Sequence, residues 1–393
     1  MATLQAFEFE CPVKIHYGER SLEHLPFELR ALDVAKPLLI GDGAASRDGR
    51  AKAVLGAFRN AEMTLGVVEN VDGDEPQTVV SQLAAIYRDK DCDALVAVGQ
   101  GRTIDMAKWL NLAVSTGEET LGPFLGDTAI PRLPKPLVVI PPAAADGFEL
   151  SGYLRNGRST LRSVHLMPRL LFLDARTAGT PDPVGMAQTA LVALTLALER
   201  FSQADANPIT GIYARIAARL AAGVLHQLAH LGDHDQHLAL TTAHAAPLGG
   251  CALGAAPRGM TSRLAAAVAQ SGKATPARAM GVLLSYVLEY RALNRELDAS
   301  RLLELVGGRD RYARTPEGQR GPAAFYFLRN LLNLLFQRTD GGVGRTLQDF
   351  GLLPEELEKA VERAGMDGEG QDRVDAAAIL EHAWEGRPFL EMN

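Results

Sequence analysis

Cysteine is scarce in this sequence: only Cys11, Cys92 and Cys251 occur among 393 residues. Because their number is odd and their spacing is wide, the sequence predicts neither a disulfide framework nor a paired-cysteine metal site. Sparse cysteine of this kind is typical of proteins from a reducing compartment. We therefore expect a cytoplasmic protein.

Long apolar runs and an excess of positive charge are absent as well. No stretch of about 18 uncharged apolar residues occurs, and the N-terminus does not combine a basic start with an apolar run. The formal net charge is -7, so the mean field of the protein repels nucleic acids and anionic membranes. We expect no nucleic-acid partner and no membrane association.

Residues 1–180 alternate short β-type runs with helical segments. This pattern is typical of a parallel sheet covered by helices, and it predicts an α/β domain of the dinucleotide-binding type. The strand candidates are residues 37–41, 64–68, 94–98, 136–140 and 170–173.

Residues 181–393 show a different pattern. Apolar residues recur at helical spacing, with hardly any β-type run between them. This half of the chain is therefore predicted to be an all-helical domain. The helix candidates are residues 186–201, 212–229, 275–293, 326–336, 354–364 and 374–384.

The most informative segment is DALVAVGQGRTIDMAK, residues 93–108, which combines a buried strand, a glycine-containing turn and a helix. Glycines at Gly99 and Gly101 would let the backbone come close to a ligand. The helix that follows would supply free N–H groups and the positive end of its dipole. This order of elements predicts a site for a diphosphate.

This segment resembles the GGGSxxDxAK fingerprint of the iron-containing alcohol dehydrogenase family, also called group III alcohol dehydrogenases. The resemblance extends over nearly the whole chain and implies the family's dehydroquinate synthase-like fold, an α/β domain with a parallel sheet followed by an all-α domain. The other similar segments are residues 12–18, 38–42, 140–150, 283–290 and 376–385.

The resemblance also implies a cofactor site for NAD or NADP. In the family, the acid that matches Asp42 faces the adenosine ribose, and it favours NAD because a 2′-phosphate would meet its charge. Gln100 replaces a glycine of the fingerprint, which is costly if the turn needs a positive φ, whereas Arg102 replaces a serine and could contact a phosphate. The predicted cofactor-binding residues are Asp42, Gly99, Gln100, Gly101, Arg102, Thr103, Asp105 and Lys108.

The metal side of the family's site is different. Metal-dependent members need a divalent cation that binds the substrate oxygen and is held by several carboxylate or imidazole ligands. An Asp and a His come from a motif like DALTHAIE, which is similar to VALTLALE here and places these ligands at Val192 and Leu196. Two ligand histidines fall on Ser262 and Pro276. These side chains hold a cation poorly, so we expect no metal cofactor.

Two functions follow from this resemblance. The first is a metal-independent oxidoreductase, in which NAD(P)H exchanges hydride with a small alcohol or carbonyl compound bound in the cleft between the domains. The second is a pseudoenzyme, a catalytically inactive subunit that binds a nucleotide, a metabolite or a protein partner. No residue is assigned a catalytic role, and the family's common dimerisation through the N-terminal domain implies a homodimer.

Clusters of histidines and of cations are candidates for a replacement site. A metal site among the histidines competes with the simpler interpretation of a polar helix end and a solvated loop. The cations either bind an anionic ligand or face solvent and carboxylates. The histidines are His226, His230, His234, His237 and His244, and the cations are Arg258, Arg263, Lys273 and Arg278.

Overall fold

The computed structural model describes residues 7, 9–69, 71, 75–125, 130, 135–156, 159–179, 182–201, 207–230, 235–254, 258–294, 296–365 and 371–390. The chain forms two compact units. The first consists of Met1–Pro181 and Asp235–Ala255, and the second of Asp182–His234 and Ala256–Asn393. A single division at residue 180 did not foresee that the segment around residues 235–255 returns to the first unit.

The first unit is built on a sheet of six parallel strands in the order β1-β8-β5-β4-β2-β3. Strands β6 and β7 form a separate antiparallel hairpin, which the sequence analysis did not predict. The strands are β1 (Lys14–Gly18), β2 (Pro37–Gly41), β3 (Gly66–Val68), β4 (Ala94–Val98), β5 (Leu137–Ile140), β6 (Tyr153–Asn156), β7 (Ser159–Arg162) and β8 (Leu170–Asp174).

Helices surround this sheet and make up the second unit. Helices α1 to α6 and α9 belong to the first unit, and the others belong to the second. They are α1 (Leu25–Ala31), α2 (Gly43–Arg47), α3 (Arg50–Ala57), α4 (Pro76–Asp89), α5 (Arg102–Thr116), α6 (Ala175–Ala178), α7 (Pro183–Phe201), α8 (Pro208–His230), α9 (Gln236–Leu253), α10 (Met260–Ala269), α11 (Pro276–Leu293), α12 (Ser300–Gly307), α13 (Arg309–Arg314), α14 (Arg320–Arg338), α15 (Pro354–Arg363) and α16 (Gln371–Glu385).

The inner strands are apolar because the sheet is covered on both faces. Every residue of β2, β4, β5 and β8 is buried, as the continuous apolar runs PLLIG, ALVAV, LVVI and LLFL require. Leu39, Val96 and Phe172 belong to one apolar core cluster of this unit. The predicted α/β architecture, followed by a helical second part, is confirmed.

The second unit contains α-helices throughout its described part. Its helix α7 is the one helix among the described residues that is long and apolar enough to cross a membrane by length and composition. Of its apolar window, 78% is buried inside the protein, which is also the property of a core helix. We interpret α7 as the core of the helical unit.

A buried lysine on α5 holds the segment that follows β5. Lys108 is 1% exposed, and its Nζ donates to the carbonyl oxygens of Phe148 at 3.0 Å, Ser151 at 2.9 Å and Tyr153 at 2.8 Å. The three hydrogens of the ammonium group are thus all used. Burial lowers the pKa of Lys108 to about 8. This side chain connects α5 to the start of the hairpin.

Replacing Lys108 by Met should destabilise the protein by about 3 kcal/mol or more, because three buried carbonyl groups lose a charged donor. Unfolding in urea measures the loss. The control is Lys52→Met on α3, where the lysine is exposed. Equal stability changes in the two variants would contradict the role assigned to Lys108.

Candidate functional site

The order of the strands creates a crevice at one edge of the sheet, the edge that the carboxyl ends of the strands form. From β2 the chain continues to β3 on one side, whereas from β4 it continues to β5 on the other side. Ligands of open parallel sheets bind outside the carboxyl ends of the strands at such a reversal of direction. Gly41 pairs with Val98 across β2 and β4, so Asp42 and Gly99 are neighbours there.

Gly99 is needed at this edge for two reasons. Its φ of +154° is a conformation that favours glycine. A Cβ atom would also lie 2.6 Å from Oδ2 of Asp42 and 3.0 Å from Oγ1 of Thr103. The ends of β2 and β4 therefore approach each other at a distance that no side chain permits.

The rest of the turn leads directly into α5. Gly101, the residue before the helix, has φ +50° and ψ -114°, which only glycine adopts readily. Gln100 is exposed and has no positive φ, so the expected cost of replacing glycine does not arise. Arg102 is exposed at the first position of α5, and Thr103 is buried behind it.

Asp42 stands at the carboxyl end of β2 as the sequence predicts. It is the N-cap of α2, where Oδ1 accepts a hydrogen bond from the N–H of Ala45 at 2.6 Å. Oδ1 also lies 3.3 Å from Nη2 of Arg50, while Oδ2 faces Gly99. The carboxylate is therefore held in place at the crevice by two internal partners.

Residues 145–149, after β5, bring two further carboxyl groups to this edge. A Cβ on Gly101 would lie 3.7 Å from Oδ2 of Asp146. Glu149 is fully buried, and its Oε1 accepts from the N–H of Asp146 at 2.9 Å. Its Oε2 is a buried atom for which the described residues provide no hydrogen-bond partner. Burial and then the charge of Asp146 raise the pKa of Glu149 to about 8, so this acid is mostly protonated at pH 7.

Arg155 on the hairpin joins these acids to α5. Its Nη2 lies 2.6 Å from Oδ2 of Asp146 and 2.8 Å from Oδ2 of Asp105, and its guanidinium lies 4.5 Å from the centre of the Phe148 ring. Burial alone would raise the pKa of Asp146, but the Arg155 guanidinium outweighs it and the pKa is lowered. Burial is the stronger effect for Asp105, whose pKa is raised.

Two of the predicted cofactor-binding residues, Asp105 and Lys108, have bonding partners inside the first unit. Asp105 accepts hydrogen bonds from the backbone N–H of Arg155 at 3.0 Å and from its Nε at 2.9 Å, and Lys108 donates to three carbonyls. Both side chains connect parts of the first unit. Their polar atoms are bonded there and are not directed at the turn. Sequence reasoning did not single out Asp146 and Arg155, although an acid at position 146, inside the family-like segment 140–150, was a signal that a compensating cation was needed.

The positions that the resemblance matches to metal ligands lie in the second unit. Val192 and Leu196 are buried on α7. Ser262 is fully buried on α10, where its N–H donates to Oε1 of Glu199 at 2.8 Å and its hydroxyl donates to Oε2. Burial raises the pKa of Glu199. Pro276 is the exposed first residue of α11.

The described histidines of the predicted cluster lie on two helices that belong to different units. His226 and His230 lie on α8 with ring centroids 4.3 Å apart, whereas His237 and His244 lie on α9 in the first unit. His234 is outside the described residues. Within the described part of the chain, no group of three His, Cys, Asp or Glu side chains is arranged to hold a metal. The structure thus gives the histidine alternative no support.

The cations of the second unit make internal contacts. Arg263 donates to the carbonyl oxygen of Ala364 at 3.1 Å, and Lys273 pairs with Glu356 at 2.6 Å. Arg278 lies with its guanidinium 4.5 Å from the centre of an aromatic ring. These contacts favour a structural role over the anion site that was considered from the sequence.

Comparison with known proteins agrees with this architecture. Residues 12–175 match the model of the iron-containing alcohol dehydrogenases, and residues 186–376 match the C-terminal model of the same family. The chain belongs to the iron-containing alcohol dehydrogenase family, whose members are oxidoreductases, and the resemblance seen in the sequence is confirmed.

Several relatives align over nearly their full length. The choline dehydrogenase of Bacillus subtilis (strain 168) is 24% identical over 375 residues, which cover 93% of this chain and 90% of the relative. The 1,3-propanediol dehydrogenase of Citrobacter freundii is 26% identical over 376 residues, covering 92% and 93%. A crystal structure of 1,3-propanediol oxidoreductase superposes with a TM-score of 0.86 at 23% identity, covering 97% of this chain and all of that one.

Replacing Gly99 by Ala should destabilise the protein by about 2 kcal/mol or more, because both the positive φ and the contact with Asp42 become strained. Gly56→Ala is the matched control, since Gly56 lies inside α3 with open space around it. That change should stabilise the protein by up to about 1 kcal/mol. Thermal and urea unfolding of both variants distinguish the two effects, and a neutral Gly99→Ala variant would contradict this account of the turn.

Glu149 should make the protein less stable as the pH rises. Its pKa of about 8 in the folded chain lies above the ordinary value of 4.5, so between these values the folded state binds more protons than the unfolded state. Stability is therefore lost as the pH rises through this window. Glu149→Gln should reduce the loss of unfolding free energy between pH 5 and pH 8 by more than about 1 kcal/mol. Urea unfolding at a series of pH values measures this loss.

The control for this pH series is Glu62→Gln, because Glu62 is exposed. It should leave the slope of stability against pH as it is in the parent protein. An unchanged slope in Glu149→Gln would show that the carboxyl of Glu149 is not the group that titrates.

Proposed function

We propose that this protein is an NAD(P)-dependent oxidoreductase that favours NAD, exchanges hydride with a small alcohol or carbonyl compound, and works without the family's metal ion. One observation supports the cofactor above all. Gly99 and Gly101, both with positive φ, lead into the start of α5 directly beside Asp42, at the reversal point of the parallel sheet.

The residues present at the turn fit a dinucleotide. Gly101 carries no Cβ, and the nearest atom to the place of one is Oδ2 of Asp146 at 3.7 Å, so a diphosphate can approach the backbone here and the first N–H groups of the 15-residue helix α5. Arg102 stands at the first position of that helix and is suited to a charge-assisted contact with a phosphate. A bound nicotinamide would supply or accept the hydride.

Asp42 is suited to the adenosine ribose. Its Oδ1 is occupied by Ala45 and Arg50, which leaves Oδ2 to accept a hydrogen bond from a ribose hydroxyl. A 2′-phosphate at the same place would face this carboxylate, and the repulsion is the reason for the proposed preference for NAD. The relatives use both forms by name, since one is an NADPH-dependent butanol dehydrogenase and one an NADH-dependent butanol dehydrogenase.

The charge of Asp146 is compatible with a diphosphate because Arg155 compensates it. The Arg155 guanidinium lies 2.6 Å from the Asp146 carboxylate, and Glu149 next to them is mostly neutral at pH 7. An uncompensated pair of carboxylates beside Gly101 would repel phosphate. The half-buried Arg155 thus makes this version of the loop consistent with nucleotide binding.

The donor set in the second unit does not fit a divalent cation. Val192 and Leu196 have no lone pairs to offer, the Ser262 hydroxyl is bonded to Glu199, and Pro276 has no side-chain donor. A catalytic zinc or iron site needs about three carboxylate or imidazole ligands. We therefore propose that hydrogen bonds or an arginine activate the substrate oxygen in place of a metal.

Calorimetric titration of protein that has been stripped with a chelator and analysed for metal tests the cofactor. Saturable binding of NAD or NADH is expected, with weaker binding of NADP and NADPH. Asp42→Ser keeps an N-cap on α2 but removes the charge, so the ratio of the dissociation constants for NADP and NAD should fall by about tenfold. Asp48→Ser removes a nearby carboxylate that also pairs with Arg50, and it should leave this ratio unchanged. Failure of all four nucleotides to bind would overturn the proposal.

Turnover with choline, 1,3-propanediol and butanol, compounds named for relatives, tests the reaction. The absorbance of NADH reports hydride transfer in either direction, and a chelator should leave the rate unchanged. Loss of activity on chelation, with recovery on adding iron or zinc, would contradict the metal-free mechanism. Tight nucleotide binding without hydride transfer to any compound of a broad alcohol and aldehyde panel would favour the non-catalytic alternative.

A further inference from the structure

Two of the three cysteines, far apart in the sequence, lie side by side in the first unit. The Sγ atoms of Cys11 and Cys251 are 3.7 Å apart, although 240 positions separate them in the chain. Cys11 is half-buried just before β1, and Cys251 is buried near the end of α9. The odd number of cysteines and their wide spacing in the sequence gave no indication of this pair.

A second contact holds the same two segments together. The rings of Tyr17 on β1 and His244 on α9 have centroids 4.7 Å apart. His244 and Cys251 are two helical turns apart and therefore lie on one face of α9. The start of the sheet thus packs along this face at two points, which fixes the position of both sulfur atoms.

We propose that Cys11 and Cys251 are a redox-active dithiol that forms an intramolecular disulfide when the protein meets a hydroperoxide. The sulfur of Cys11 attacks the peroxide, an S–O bond forms, the O–O bond breaks, and an alcohol or water leaves. The sulfur of Cys251 then attacks Cys11, displaces the hydroxyl and releases its proton, so that water is formed. Two thiols lose two electrons, and the hydroperoxide gains them.

The two sulfurs have distinct roles because their surroundings differ. The hydrogen bond with Cys251 lowers the pKa of Cys11 to about 7, so much of this half-buried thiol is the nucleophilic thiolate at neutral pH. The same bond and burial raise the pKa of Cys251, which suits it to the second step. Burial also raises the pKa of Cys92, the third thiol, which makes that residue an internal control.

Closure of the bond requires only a small movement. A disulfide has an S–S distance of about 2.05 Å, and the sulfurs start 3.7 Å apart. Thiols held at this distance react as an intramolecular pair, with no cost for bringing the two segments together.

Helix α9 would connect the disulfide to the candidate site. Gly250, the residue before Cys251, packs against the carbonyl of Gly147 so closely that a side chain does not fit. The N–H of Gly152 also donates to the carbonyl of Gly254 at 3.2 Å. The disulfide would therefore connect the N-terminal segment to the helix that supports residues 147–152.

Treatment of the reduced full-length protein with one equivalent of hydrogen peroxide, followed by catalase, tests the proposal. Thiol counting after denaturation should find one thiol of three, the intact mass should fall by two hydrogens, and peptide mapping should find Cys11 linked to Cys251. The same treatment in concentrated urea should abolish the selectivity, because the pair is created by the fold.

Variants separate the pair from the other thiol. Cys92→Ser should form the disulfide as the parent protein does, whereas Cys11→Ser should leave both remaining thiols reduced. Conversion of Cys11 to sulfinic acid without a link, a link that includes Cys92, or three unreacted thiols would each overturn the proposal. The measurement on the parent protein decides the question even if a variant does not fold.

Discussion

The buried ammonium group of Lys108 organises the carboxyl edge of the sheet in the first unit. A charged group this deep is stable only when its hydrogens are bonded, and here three backbone carbonyls between Phe148 and Tyr153 accept them. The segment after β5 is therefore fixed on α5, and the hairpin that starts at Tyr153 follows from it. The hairpin in turn places Arg155 where it contacts Asp105 and Asp146.

The chemical character of the crevice results from that chain of contacts. Arg155 compensates the charge of Asp146, and Glu149 is kept mostly neutral because it is buried beside an acid that is already ionised. Gly99 lets the ends of β2 and β4 approach each other, whereas the space beside Gly101 is bounded by the Asp146 carboxylate at 3.7 Å. Electrostatics at this edge depend on a side chain from the hairpin, which the family's fingerprint does not include.

The helical unit packs three of the four positions that the resemblance matches to metal ligands into its interior. Val192 and Leu196 belong to the buried apolar surface of α7. The hydrogen bonds between Ser262 and Glu199 join α7 to α10. A superposition with a TM-score of 0.86 on 1,3-propanediol oxidoreductase shows that the fold is retained, and fold alone does not determine the chemistry.

The amino-acid sequence was sufficient for the features that depend on near neighbours in the chain. Buried runs such as ALVAV and the positions of Gly99 and Gly101 are local properties, because burial on both faces selects apolar residues and a left-handed backbone selects glycine. The acid at Asp42 was also found, since it follows a strand directly.

The tertiary structure alone decided what Lys108, Asp105 and the cysteines contact. The resemblance predicts Lys108 and Asp105 as cofactor-binding residues, and the structure shows their side chains bonded to carbonyls and a guanidinium some 40 to 50 positions away. The pairing of Cys11 with Cys251 requires α9 to return to the first unit, a contact across 240 positions. Such contacts arise from the packing of whole elements, and no pattern of neighbouring residues encodes them.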